Sequence, residues 1–144
     1  MIVVLAVLGM MAGLVLTRGP PRSAALEIRA AANAVAQSLR VARTRAIMSD
    51  QRVMVVLDPR AATLRIGVGA SRGLPAGITM SVVTTADLAS TQVGAQGEGG
   101  GPAGIAFLPD GSSSGGRVEL AAGARRMQVG VDWLTGRVSV ADGP

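Results

Sequence analysis

The chain opens with an unbroken apolar stretch, because residues 1–16 consist only of hydrophobic side chains and glycine. As a helix this stretch would be about 24 Å long. A bilayer core is about 30 Å thick and requires about 20 residues, so the stretch is slightly short of a full span. Gly9 and Gly13 have the spacing that lets apolar helices approach closely, or they are incidental. The residues predicted to lie in a membrane or filament core are Ile2, Val3, Val4, Leu5, Val7, Leu8, Gly9, Gly13, Leu14, Val15 and Leu16.

A second helical pattern follows Pro20 and Pro21, which stop or kink the first helix. Residues 23–50 contain neither Gly nor Pro and are rich in Ala, which favours a helix. Apolar residues recur every three or four positions in a single narrow stripe, which predicts that the helix packs on a sheet. The residues of this stripe are Ile28, Ala32, Val35, Leu39, Ala42 and Ala46.

Strand patterns begin after the helix. Residues 52–58 and 63–68 flank a turn at residues 58–61, and together they predict a β-hairpin. Residues 69–76 are predicted to form a loop, and residues 77–85 a third strand.

Turn residues divide the remainder of the chain into short strands. Residues 86–103 are glycine-rich and predict a flexible loop. Strands are predicted at residues 105–108 and 117–120, on either side of a turn rich in Gly and Ser. The residues of interest in that turn are Pro109, Asp110, Gly111, Ser112, Gly115 and Gly116.

A last hairpin is predicted from residues 125–131 and 136–140, with Trp133 in its turn. We expect Trp133 to fold back over the core as a lid, with a binding role as the alternative. The fold class predicted from these elements is α+β, with a long N-terminal helix and a C-terminal antiparallel β domain. The predicted segments are an apolar helix at 1–17, a kink and amphipathic helix at 18–50, and the β domain at 51–144.

The net charge of +5 lies in one part of the chain. Residues 17–52 carry seven Arg and two acids (7 − 2 = +5), whereas residues 53–144 carry seven of each. The arginines of the second helix lie mainly on faces other than its apolar stripe, which is typical of a solvated surface. Contact with phospholipid or nucleic acid is the alternative. These arginines are Arg29, Arg40, Arg43 and Arg45.

Composition disfavours an enzyme. Cys and His are absent, so the chain has no thiol nucleophile, no imidazole base and neither of the commonest zinc ligands. Asp110, Ser112 and Ser114 resemble the start of a calcium loop, but its later ligands and closing Glu are missing. The sequence therefore predicts no catalytic residue, cofactor, metal site or small-molecule substrate. One Trp, one Phe and no Tyr also offer few rings for stacking on nucleic-acid bases.

Four stretches carry a resemblance to a known family. Residues 1–16 match the apolar part of a pilin N-terminus, and residues 42–58 resemble a helix end and first strand. FLPDGSSSGGRVEL at 107–120 and VGVDWLTGRVSV at 129–140 resemble a signature turn and closing hairpin. The chain thus resembles type IV pilin-like proteins and, more narrowly, the GspH/FimT family. The resemblance implies a pilin-like fold whose first half-helix is inserted in a membrane.

The head of the chain departs from the pilin pattern. Pilin-like proteins are made with a basic leader cut after Gly, which leaves Phe and Glu just before the apolar run. Here Met1 stands where the residue after that Glu would fall. Five further residues would lengthen the run to about 21, enough for a full span. We therefore expect an internal start or a trimmed chain, since the sequence as written offers no prepilin cleavage site. A basic leader would also offset Arg18 and Arg22, which otherwise favour a cytoplasmic C-terminus.

The resemblance implies a minor pseudopilin, a structural subunit of the type II secretion pseudopilus that helps to export folded proteins. Such a protein would be single-pass in the bacterial inner membrane, with its β domain in the periplasm. Its expected partners are the major and minor pseudopilins, the inner-membrane secretion platform and the lipid bilayer. The alternative is a FimT-like minor pilin that binds DNA during uptake, although the neutral β domain disfavours nucleic acid. A membrane-anchored enzyme is a third and weaker hypothesis.

Overall fold

The computed structural model describes residues 24–84 and 102–143. Residues 1–16, predicted to be apolar helix, and residues 86–101 of the predicted loop lie outside the described residues. The described elements are the helix α1 (Ala24–Ser49) and the strands β1 (Val53–Asp58), β2 (Thr63–Ile66), β3 (Arg72–Gly73), β4 (Thr79–Val83), β5 (Ala103–Phe107), β6 (Gly116–Ala122), β7 (Arg125–Val131) and β8 (Val138–Asp142). No helix in this part of the chain is both long and apolar enough to span a bilayer.

Helix α1 ends because Asp50 adopts a left-handed conformation, with φ of 50°. The Gln51 backbone N–H then donates to the Ala46 carbonyl at 3.3 Å, which satisfies one of the carbonyls left open at the helix end. Asp is one of the few residues other than Gly that visit this conformation. The local geometry therefore directs the chain out of the helix and into β1.

The strands form two antiparallel sheets. The first has the order β3-β2-β1-β5 and the second the order β4-β6-β7-β8. Helix α1 contacts strands of both sheets, and its most extensive contact is with β7. Alternate residues of β1, β6 and β7 are buried, as expected for strands that cover a core with one face. The predicted α+β arrangement of one long helix on antiparallel β-structure is confirmed.

The sheets differ in detail from the sequence-based expectation. The strand predicted at 77–85 is β4, which pairs with β6 in the second sheet, whereas the first hairpin lies in the first sheet. The strands on either side of the glycine–serine turn belong to different sheets, and an isolated bridge joins Phe107 of β5 to Ser113 of the turn. A short strand, β3, lies within the predicted loop at 69–76. Strand β5 begins at Ala103, a residue assigned to the predicted glycine-rich loop.

The core lies between α1 and the two sheets. The stripe residues Ile28 and Val35 are each 2% exposed, and the other four stripe residues are fully buried. Phe107 is the largest fully buried side chain, and Leu57, Ile105 and Leu120 are buried with it. The small alanines of the helix bring its backbone close to these larger side chains. Helix and sheets therefore share one continuous hydrophobic cluster.

Replacing Leu39 tests this packing. Leu39 is fully buried, whereas Val41 is 44% exposed on the same helix. We expect Leu39→Ala to lower the free energy of unfolding by about 2–5 kcal/mol, because it removes a buried side chain and leaves a cavity. Val41→Ala should change it by less than about 0.5 kcal/mol. Urea unfolding of the purified protein measures both values, and equal effects would contradict the orientation of α1.

Candidate assembly surface

The C-terminal half of α1 meets two turns of the β domain at one place. One turn connects β5 to β6 through residues 108–115, and the other connects β7 to β8 through residues 132–137. We call this place the helix–turn junction. Its members are Arg43, Gly111, Ser113, Asp132 and Gly136.

The half-buried guanidinium of Arg43 holds the helix side of the junction. Its Nε donates a hydrogen bond to the Gly111 carbonyl at 3.0 Å. Gly136 has φ of 62°, in the left-handed region. A Cβ at Gly136 would lie 2.8 Å from Arg43 Nε and would also collide with the Gly111 carbonyl oxygen. Position 136 therefore requires glycine for its conformation and for the space that it leaves.

Ser113 links the two turns to each other. It is 2% exposed. Its Oγ donates to the Asp132 carbonyl at 2.9 Å, and its backbone N–H donates to the Trp133 carbonyl at 2.9 Å. The same Oγ accepts a bond from the Gly115 N–H at 3.0 Å. This buried hydroxyl thus has both a donor and an acceptor partner, which is the condition for burying it without a large penalty.

Two exposed aspartates stabilise the turns from within. Asp132 Oδ1 accepts hydrogen bonds from the backbone N–H and the hydroxyl of Thr135, each at 2.8 Å. Asp110 Oδ1 accepts bonds from the hydroxyl of Ser112 at 2.6 Å and from its N–H at 2.9 Å. The Thr135 N–H, followed by its hydroxyl, holds the pKa of Asp132 below its ordinary value of 3.8. The Ser112 hydroxyl, followed by its N–H, does the same for the pKa of Asp110.

The predicted glycine–serine turn lies at the junction. Gly111 and Gly115 are buried and Asp110 is exposed, while the remaining members, Pro109, Ser112 and Gly116, are partly buried. Ser114, in the same turn, pairs with the edge of β5. Its N–H donates to the Ala106 carbonyl at 2.9 Å, and its Oγ accepts from the Ala106 N–H at 3.0 Å. The hydroxyls of Ser113 and Ser114 therefore bond to the backbone, whereas the hydroxyl of Ser112 bonds to the Asp110 carboxylate.

The expectation that Trp133 covers the core as a lid is wrong. Its side chain is 65% exposed, and the neighbouring Leu134 is 63% exposed. The reason lies in the turn, where the Gly136 N–H donates to the Asp132 carbonyl at 2.9 Å and the Asp132 side chain bonds to Thr135. This tight loop leaves Trp133 and Leu134 at its outer tip. The alternative hypothesis, a binding role for Trp133, remains a prediction.

The outward face of α1 is unusual for a surface helix. Successive helical residues are rotated by about 100°, which places one line of residues opposite the buried stripe. These residues are exposed and none of them is charged, although the outer face of a surface helix is normally rich in charge. The line consists of Leu26, Ala30, Asn33, Ala34, Gln37, Val41, Thr44 and Met48.

The C-terminal part of this line forms a shallow groove of about 580 Å³. Its apolar lining residues, Val41 and Met48, are 44% and 82% exposed. By the same helical rotation, Arg40 and Arg45 lie on opposite sides of the line. We call this feature the α1 groove, which is lined by Gln37, Arg40, Val41, Thr44, Arg45, Met48 and Ser49.

Sequence reasoning assigned Arg43 to the solvated face and did not identify Ser113 or Gly136 as contact residues. Arg43 and its acceptor Gly111 are 68 positions apart, so no local pattern predicts their bond. A partial signal existed at Gly136, since glycine directly after a polar turn often marks a left-handed conformation. The close approach of Arg43 to that glycine depends on the tertiary fold.

Comparison with known proteins gives this arrangement a context. The fold is that of pilin-like proteins. The model of the family described as type II transport protein GspH matches residues 31–135 of the chain. The chain is also 31% identical over 137 residues to the type II secretion system protein H of Xanthomonas campestris pv. campestris, covering 95% of this chain and 75% of that protein. The chain belongs to the GspH family, as its resemblance indicated.

Solved structures agree with the fold. The minor pseudopilin EpsH from the type II secretion system of Vibrio cholerae superimposes with a TM-score of 0.61 at 15% identity, covering 82% of this chain and 96% of that one. The type IV minor pilin FimU of Pseudomonas aeruginosa gives a TM-score of 0.58 at 15% identity, covering 80% of this chain and 88% of that one. At this level of identity both likenesses concern the fold.

Two glycines with the same backbone conformation test the junction. Gly136 and Gly123 have φ of 62° and 60°, but a Cβ at Gly123 would meet no atom within 4 Å. We expect Gly123→Ala to lower the free energy of unfolding by about 1–2 kcal/mol, through the left-handed conformation alone. Gly136→Ala should lower it by at least about 1 kcal/mol more, because overpacking adds to the strain. Urea unfolding of both variants measures the difference, and equal losses would contradict the close approach to Arg43.

The pH dependence of stability tests the turn bonded by Asp132. A pKa that is lower in the folded state stabilises the protein above the unfolded pKa, and this stability is lost as pH falls through the folded value. We therefore expect stability to decline as pH falls below about 4. The Asp132→Asn variant keeps an acceptor oxygen that does not titrate. Its stability should therefore decline less steeply with falling pH than that of the unmodified protein. Urea midpoints between pH 6 and 2 measure this, and parallel curves for the two proteins would exclude a contribution from Asp132.

Proposed function

We propose that this protein is a minor pseudopilin, a structural subunit of the pseudopilus of a type II secretion system. Membership of the GspH family carries this proposal. The outward face of α1 supports it, because a helix that buries one stripe and leaves the opposite line uncharged is suited to contact on both sides. A filament subunit provides such contacts, since neighbouring copies or related subunits surround its helix.

In this function the β domain is held in the periplasm by a segment anchored in the inner membrane. Residues 1–16 would supply that segment, first within lipid and later against apolar helices in the filament core. The transfer is feasible because one apolar environment replaces another, so apolar surface is not exposed to water. The partners proposed are the major and minor pseudopilins and the inner-membrane secretion platform.

Helix α1 would connect the anchor to the β domain. Packing against both sheets makes helix and β domain one body, so that movement of the anchor also moves the exposed turns. The six stripe residues are proposed to maintain this connection, and the glycine–serine turn to fix it through Arg43. The proposal assigns no catalytic residue and no cofactor to the protein.

The DNA-binding alternative rests on the arginines of α1 and on the likeness to minor pilins. Arg40 and Arg45 flank the helix line but do not form a continuous basic strip along it. A surface that tracks a phosphate backbone is expected to present such a strip. The DNA-binding hypothesis therefore has less support than the structural role.

Deletion and complementation test the proposed function. We expect deletion of the gene in its native host to reduce export of type II substrates, and the full-length protein to restore export. The restored protein, solubilised from membranes with detergent, should recover other pseudopilins by affinity purification. Unimpaired export in the deletion strain, together with no recovery of pseudopilins, would contradict the proposal.

A further inference from the structure

We propose that the α1 groove binds a neighbouring pseudopilin through a surface that combines apolar side chains with carboxylates. The inference rests on the proposed function and names the chemistry of the partner. It is carried by an apolar floor and two flanking cations.

The floor of the groove consists of Val41, Thr44 and Met48, spaced by three and four residues along the exposed line of α1. Met48 is 82% exposed and has a flexible, polarizable side chain, which adapts readily to an opposing apolar surface. Burial of such side chains is favourable, whereas continued exposure brings no stabilisation. An apolar partner surface is therefore the natural complement of the floor.

The charges determine what else the partner must provide. Residues 37–49 contain three Arg and neither Asp nor Glu. Arg40 is partly used within the fold, since its Nη2 donates to the Val138 carbonyl at 3.3 Å. A guanidinium has five N–H donors, so this bond leaves others for a partner. Arg45 lies on the other side of the floor and is exposed.

An apolar partner seated on the floor would remove water from both guanidinium groups. Such desolvation is unfavourable unless an opposite charge replaces the water. Carboxylates meet this need best, because they accept two parallel bonds from one guanidinium. The partner surface therefore carries an Asp or Glu on at least one side of its apolar residues.

The same charges disfavour the α1 groove of a second copy as the occupant. Two α1 grooves placed face to face would oppose arginines with arginines, and like charges across an interface are unfavourable. A phosphate backbone or lipid headgroup would satisfy the arginines, but it would leave the apolar floor without a complement. A different pseudopilin satisfies both requirements.

Site-specific cross-linking tests the inference in the full-length chain, in its native host. The chain has no cysteine, so a single introduced thiol is a unique attachment point for a photoreactive probe. We place one thiol in the groove by Thr44→Cys, and a control on the outer face of the second sheet by Ser81→Cys. Both positions are exposed. We expect the probe at position 44 to form an adduct with another pseudopilin, at a yield above that from position 81.

Variants of the groove then test its chemistry. Arg45→Glu should lower the adduct yield at least about tenfold, because it places a like charge against the partner carboxylate. Met48→Ala should also lower the yield, whereas Leu26→Ala, which alters an exposed side chain at the other end of α1, should not. Exchanging Asp or Glu of the cross-linked partner segment for Arg should restore the adduct with Arg45→Glu. Arg45→Gln replaces Arg45→Glu if the urea midpoint shows that the latter is unfolded.

Each contrary outcome has a distinct meaning. One outcome is that the adduct yield from position 44 does not exceed that from position 81, in a strain whose export still depends on the protein. This outcome would overturn the proposed binding role of the groove but not the proposed function. An adduct with a second copy, with nucleic acid or with phospholipid would also overturn the groove, as would a yield unaffected by Arg45→Glu. Export that does not depend on the protein, with no adduct to any pseudopilin, would overturn the proposed function itself.

Discussion

The packing of α1 across two sheets is the contact on which the rest of the structure depends. The sheets share no strand, and α1 contacts both of them. Its buried face is largely alanine, whose short side chain brings the helix near enough for Phe107 and Leu120 to fill the space between the layers. Removal of α1 would expose the apolar faces of both sheets together. The helix is therefore as much part of the β domain as the strands are.

Hydrogen bonds near the C-terminal end of α1 provide the directional contacts that apolar packing lacks. Hydrophobic contact has no preferred direction, whereas a hydrogen bond weakens steeply when it is misaligned. Arg43 bonds to Gly111, and Arg40 bonds to Val138. Together these bonds fix the rotation of the helix about its axis. Together with the buried stripe, they determine which residues face outward, including those of the α1 groove.

The sequence allowed the helix and most strands to be placed, because a period of 3.6 or 2 residues is a local signal. The sheet to which each strand belongs was harder to predict, since the partner of a strand depends on residues distant in the sequence. The strand pattern at 77–85 therefore did not indicate that β4 pairs with β6. Arg43 appeared solvated for the same reason. Trp133 was expected to cover the core as a lid, but the bonds of Asp132 determine where the turn directs it.

The helix–turn junction also connects helix α1 to the turn that carries Trp133. Helix α1 has 26 residues and is therefore about 39 Å long, and Arg43 lies near its far end. Arg43 bonds to the turn at 108–115, and Ser113 of that turn bonds to the turn that carries Trp133. Helix and tip are thus parts of one hydrogen-bonded unit. Trp133 is the only tryptophan of the chain, so its fluorescence would report the immediate surroundings of the tip as the subunit advances.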